Sequence, residues 1–162
     1  MLQTEKFMKK ALAIAKKAYD SDEVPVGAVI VRQGKIIASA FNKRETSKDA
    51  TAHAEILAIK KACKVVGDFR LLDCEMFVTL EPCLMCLGAI LNARIKTLYF
   101  GAPNNKENAL KMSEVVERAE LNHKTEVVGG ILEKECSFLV SEYFKEKRQN
   151  KTLKNRNMFK EI

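Results

Sequence analysis

The sequence predicts an α/β protein: a three-layer α/β/α sandwich around a central mixed five-stranded sheet. Three observations carry this. Amphipathic helical segments alternate with short β-branched runs along nearly the whole chain. The first two such runs are adjacent and joined by a tight turn, as in an antiparallel hairpin, whereas the later ones are separated by helices, as parallel strands must be. The chain has 162 residues, 47% apolar and 30% charged, which suits one ordinary domain with a single core.

The first helix is read over Thr4–Asp20, where Phe7, Ala11, Ile14, Ala15 and Ala18 recur at three- and four-residue spacing among lysines. Val26–Val31 and Ile36–Phe41 form the hairpin through Gln33-Gly34. A polar stretch, Asn42–Thr51, leads to a second helix from His53 to Val66 with an apolar stripe of Ile56, Ile59, Ala62 and Cys63. On the same helix Lys60, Lys61 and Lys64 read as a solvated face. Met76–Leu80 is the third strand, and Pro82 suits the first turn of a helix over Leu84–Ala93. Lys96–Gly101 is the fourth strand, Pro103–Asn108 a polar loop, Ser113–Leu121 a helix and Glu126–Val128 the fifth strand. Cys136, Leu139, Val140, Tyr143 and Phe144 mark one face of the last helix. No repeat or linker divides the body.

Charge is unevenly placed. Lys and Arg number 28 against 21 acidic residues, a net +7. Residues 145–162 hold seven basic and two acidic side chains, so +5 of the surplus sits there and the body is nearly neutral. A basic surplus favours a polyanionic partner but says nothing about fold. No apolar run approaches the roughly 18 residues of a membrane span, and the N-terminus has no apolar secretory core. The expectation is a cytoplasmic protein whose five cysteines are reduced, so clustered cysteines point to metal or redox chemistry.

Two helix-opening segments carry the chemistry: Thr51-Ala52-His53-Ala54-Glu55 and Glu81-Pro82-Cys83-Leu84-Met85-Cys86. Cys83 and Cys86 are three apart and share a helix face. With His53 they make three ligands, the number that a catalytic zinc ion takes from protein. Helix N-termini favour the thiolate form such a site needs. Glu55 stands two residues from His53, too far round a regular helix to ligate beside it. At the start of a helix, however, it has the place of a proton shuttle.

His-x-Glu followed by Pro-Cys-x-x-Cys is the signature of the zinc base deaminases, a worked example of that chemistry. The likeness extends further. Glu23–Val29, Thr51–Ile56, Val78–Cys83, Met85-Cys86, Gly88–Ile90, Asn122-His123, Glu135-Cys136 and Tyr143-Phe144 resemble the bacterial tRNA-specific adenosine deaminases of the cytidine/deoxycytidylate deaminase superfamily. The resemblance runs from about Lys6 to Arg148. Residues 1–148 are therefore read as a zinc-dependent deaminase domain with a cytidine-deaminase-like fold, and 149–162 as a basic tail, read either as a disordered solvated end or as a contact for RNA.

The resemblance implies hydrolytic deamination of adenosine to inosine at the wobble position of a tRNA anticodon stem-loop. It implies one zinc ion per subunit on His53, Cys83 and Cys86, with Glu55 moving protons. Substrate contacts fall to Asn42, Ala54, Asn104 and Phe144. It also implies a homodimer whose C-terminal helix faces the RNA, and no membrane partner. Two departures stand out. Asp49-Ala50-Thr51 replaces the family's usual Asp-Pro-Thr, and Gly101–Met112 lacks both later glycines of the usual loop and has Asn104 in place of its acidic residue. An amide can donate as well as accept where a carboxylate only accepts, so ribose discrimination is expected to differ.

Other readings compete. Cys-x-x-Cys also marks redox pairs, and a structural zinc site would recruit a fourth ligand from Cys63, Cys74, Cys136 or His123. More simply, those three cysteines are small apolar core residues and His123 is a satisfied structural histidine. Among enzymes, a deaminase of a free base or nucleoside (cytosine, cytidine or guanine) shares the same zinc chemistry.

Overall fold

The computed structural model describes residues 1–104, 112–118 and 123–158. Its elements are α1 (Gln3–Asp20), β1 (Gly27–Arg32), β2 (Lys35–Phe41), α2 (Arg44–Ser47), α3 (Ala54–Val66), β3 (Cys74–Leu80), α4 (Leu84–Asn92), β4 (Thr97–Ala102), α5 (Met112–Arg118), β5 (Glu126–Val128) and α6 (Glu133–Met158). The expected sandwich is present. The five-stranded sheet has the order β2-β1-β3-β4-β5. β1 pairs antiparallel with both β2 and β3, while β3, β4 and β5 run parallel to one another. Gln33 and Gly34 both take positive φ, 50° and 72°, as a two-residue type I′ hairpin turn requires.

Strand alternation sorts the core into two layers. Ala28 and Ile30 of β1 and Met76 and Val78 of β3 face α3, α4 and α5, packing with Ala58, Ala62, Ile90, Leu91 and Val116. Their neighbours Val29, Val31 and Phe77 point to the other face, onto Phe7, Met8 and Ala11 of α1 and Cys136 of α6. Phe77 stacks on Tyr99 at 4.5 Å and lies 5.2 Å from Phe7. Two glycines set how closely the helices approach. A Cβ on Gly27 would collide with backbone of Ala11 and Ala15 in α1, and one on Gly101 with Cys136 of α6.

Several expectations change. The buried stripe of α3 is Ala54, Glu55, Ala58 and Ala62, whereas Ile56, Ile59 and Cys63 are half-buried. Alanines let this helix lie close on the sheet, and the bulkier residues flank the contact. The polar stretch after β2 contains α2. Pro82 lies just outside α4, before its N-cap Cys83. α6 continues through the residues expected to form a tail, as far as Met158. Residues 131–158 contain neither Gly nor Pro, and the lysines, arginines and glutamine there are good helix formers. Loop residues 105–108, the expected helix end at 119–121, and Asn122 lie outside the described residues.

His123 Nε2 lies 2.9 Å from the Ile95 carbonyl oxygen, and Cys74 and Cys136 are buried. Lys60, Lys61 and Lys64 are exposed, Lys61 donating to the Ser39 carbonyl at 2.8 Å. No described helix is long and apolar enough to cross a membrane.

Candidate active site and metal centre

The site forms where two helices start side by side on the same end of the sheet. His53 is the N-cap of α3 and Cys83 the N-cap of α4, both in extended backbone conformation. Cys86 follows one turn into α4, so the Cys-x-x-Cys spacing turns both sulfurs toward His53. His53 Nδ1 lies 3.6 Å from Cys83 Sγ and 3.5 Å from Cys86 Sγ. All three ligand atoms fall within 4.8 Å of one another, and among the described residues this is the group that could hold a metal ion. Cys63, Cys74, Cys136 and His123 do not join it.

The donor set fits zinc. With Zn–N of about 2.05 Å and Zn–S of about 2.3 Å at a tetrahedral angle, the N···S edge is about 3.6 Å. The observed edges match this. Three ligands of the His/Cys/Cys type leave a fourth position open, which distinguishes a catalytic from a closed structural site.

The electrostatics suit the same use. A hydrogen bond from the Cys86 thiol, helped by backbone N–H groups at the start of α4, pulls Cys83 well below the usual thiol range to about 5. The same bond, together with burial and nearby Glu55, holds the Cys86 thiol well above it. Glu55 is 4% exposed. Burial raises its carboxyl from the ordinary carboxylate range to about 7, where giving and taking a proton are nearly balanced.

A cavity of about 570 Å³ opens over these residues, a size typical of small-molecule sites. His53, Glu55 and Cys83 are at the metal centre, while Asn42, Ala54, Asn104 and Phe144 line the rest, so every proposed substrate residue reaches this one space. Asn42 is buried; its Nδ2 donates to the Val24 carbonyl and its Oδ1 accepts from Arg44 N–H, both at 3.4 Å. Glu81 N–H donates to the Ala102 carbonyl at 2.8 Å, and the Glu81 carboxylate accepts from Asn104 N–H at 2.9 Å. Phe144 comes from α6, with Tyr143 edge-on at 5.4 Å.

Sequence reasoning missed part of this lining: Arg44 from α2, Glu81, and Ser137 and Ser141 from α6. Glu81 had one signal, its place in Glu-Pro-Cys. Arg44 and the serines had none.

The comparisons agree with this geometry. Residues 1–102 match the cytidine and deoxycytidylate deaminase zinc-binding region. The chain is 43% identical over 159 residues to a tRNA-specific adenosine deaminase of Bacillus subtilis, covering 98% of this chain and 99% of that one. A solved structure from work on A-to-I editing by tRNA:A34 deaminases is 41% identical with a TM-score of 0.77, over 83% of this chain and 98% of that one. A guanine deaminase of Bacillus subtilis is 42% identical with a TM-score of 0.60, over 72% of this chain and 76% of that one. The chain belongs to the cytidine and deoxycytidylate deaminase family, and its His53, Cys83 and Cys86 can form a zinc site.

Proposed function

We propose that this protein deaminates adenosine to inosine at the wobble position of a tRNA anticodon stem-loop, acting in the cytoplasm as a homodimer with one zinc ion per subunit. The observation that carries the reading is a three-ligand site with a buried carboxylate beside it, at the floor of a cavity walled in part by α6, which carries seven basic and four acidic residues. The near full-length relation to a tRNA-specific adenosine deaminase supports it. Zinc held by His53, Cys83 and Cys86 supplies Lewis acidity that makes water a nucleophile near neutral pH.

The chain's own residues do the rest. Glu55 takes a proton from the attacking water, gives it to the ring nitrogen beside C6, and then carries the proton of the new C6 hydroxyl to the departing amine. The C6–O bond forms, the C6–N bond breaks, and one water is exchanged for one ammonia. Asn42 and Asn104 offer amides to the nucleotide, Ala54 shapes the floor and Phe144 supplies an apolar face. A splayed base from a single-stranded loop can enter such a cavity, whereas a paired base cannot. Exposed Leu84 and Met85, beside the metal ligands at 71% and 38% exposure, support a subunit contact close to the site.

Deamination of a free purine is the second reading, favoured by the guanine deaminase neighbour. Zinc-loaded protein, incubated with an anticodon stem-loop bearing a wobble adenosine, is expected to yield a product that copies as G. An unchanged adenosine together with turnover of free guanine would replace the first reading by the second.

A further inference from the structure

The cavity's substrate wall is held by a residue that does not line it. Glu23 is completely buried, yet it belongs to no helix or strand. Its two carboxylate oxygens accept from backbone N–H groups across the cavity rim: Oε1 from Thr46 at 2.6 Å and Oε2 from Glu45 at 3.2 Å. Those two residues are in α2, a four-residue helix whose own N-cap, Lys43, provides no side-chain bond. Glu23 thus does from a distance of 22 and 23 residues what a cap usually does locally.

The residues beside each end of this contact face the cavity. Val24, next to Glu23, lines it and accepts from Asn42 Nδ2. Arg44, next to Glu45, lines it too and donates its N–H to Asn42 Oδ1. Both bonds that orient the Asn42 amide therefore run to backbone flanking the Glu23 clamp. Each amide atom keeps capacity to spare, one N–H and one lone pair, for a bound nucleotide. Lys43 N–H donates to the Ala52 carbonyl, which ties the same segment to the residue before His53.

Asp22, on the other side of Glu23, anchors the opposite wall. Its carbonyl accepts from Tyr143 hydroxyl at 3.0 Å and its carboxylate pairs with Lys147 at 2.6 Å, both on α6, the helix that carries Phe144. Burying a carboxylate is costly unless it is fully bonded. Filling this space with an apolar side chain would leave two backbone N–H groups without their acceptor.

We propose that Glu23 is a positioning residue for the deamination reaction, fixing α2 so that Asn42 presents its amide to the substrate. The inference rests on the deaminase reading above. Glu23→Gln keeps the shape but turns an amide N–H toward one of the two backbone donors. KM for the stem-loop then rises about tenfold, the effect of losing one hydrogen bond to a charged group, while kcat stays within about twofold and zinc content remains one per chain. Asn42→Ala also raises KM, and the double variant is little worse than Asn42→Ala alone, because both act on one contact.

Glu23→Asp retains the charge but draws the oxygens back by one methylene. It gives a smaller rise in KM and carries the same comparison if Glu23→Gln does not fold. An unmoved KM, a loss confined to kcat, or fully multiplicative effects of the two substitutions would overturn the assignment. Wild-type protein without turnover on the stem-loop would overturn the deaminase reading and this inference together, whereas wild-type turnover with an unmoved KM in the variants overturns the inference alone.

Discussion

The floor and the wall of the cavity are built by opposite means. On the floor, His53, Cys83 and Cys86 are held by the starts of two helices, and each helix fixes its own ligands through local geometry. On the wall, Asn42, Arg44, Asn104 and Phe144 arrive from a strand end, a single turn, a loop and the last helix. Carboxylates far away in sequence clamp two of these segments: Glu23 on α2 and Glu81 on Asn104. A floor fixed locally preserves the zinc chemistry, while a wall fixed by tertiary contacts can change its substrate with few substitutions. The family's range of nucleobases and the similarity to both adenosine and guanine deaminases fit that division.

Substitutions on the two sides therefore produce different losses. The largest is expected from Glu55→Gln, which removes the proton carrier but none of the metal ligands. Turnover falls about a thousandfold, with zinc content unchanged by metal analysis. A fall of less than tenfold would take Glu55 out of the proton path. On the wall, Glu81→Gln weakens the bond that holds Asn104 N–H. KM rises about tenfold with kcat nearly constant, and loss of zinc instead would place Glu81 with the floor.

Smaller effects test the outer rim. Ending the chain after Arg148 removes Lys151, Lys154, Arg156 and Lys160. The slope of log affinity for the stem-loop against log salt is expected to become shallower by about 0.7 for each phosphate that these side chains neutralise. An unchanged slope would confine RNA contacts to residues before 149. Asn104→Asp is the mildest change. A carboxylate accepts from a ribose 2′-hydroxyl more strongly than an amide oxygen does, and deoxyribose has no such donor, so preference for RNA over a DNA hairpin of the same sequence should sharpen. A ratio that does not move would exclude Asn104 from sugar discrimination.

The same division explains what is legible in the sequence. Metal ligands declare themselves because Cys-x-x-Cys and His-x-Glu act over one helical turn, and the sheet's mixed character follows from a hairpin and two helical crossovers. On the wall, Asn42, Asn104 and Phe144 are recognisable only through family resemblance. Arg44 and Glu23 escape because α2 is stable through a partner 22 residues away, a relation that no local pattern records. In α3, the expected stripe of Ile56, Ile59, Ala62 and Cys63 holds for Ala62, but closeness to the sheet buries Ala54 and Ala58 where side-chain size points to Ile56 and Ile59. At the end of α6 a basic, polar composition suggests a tail, whereas a run free of Gly and Pro, with Lys, Arg and Gln as good helix formers, continues the helix to Met158.

The central claim is that this floor and wall together process a tRNA wobble adenosine. Sequencing the copied product of a zinc-loaded reaction on an anticodon stem-loop, with Glu55→Gln protein as control, tests it most directly. G is expected at the wobble position with wild-type protein and A with the variant. Adenosine left intact by zinc-replete wild-type protein that still releases ammonia from a free nucleobase would contradict it.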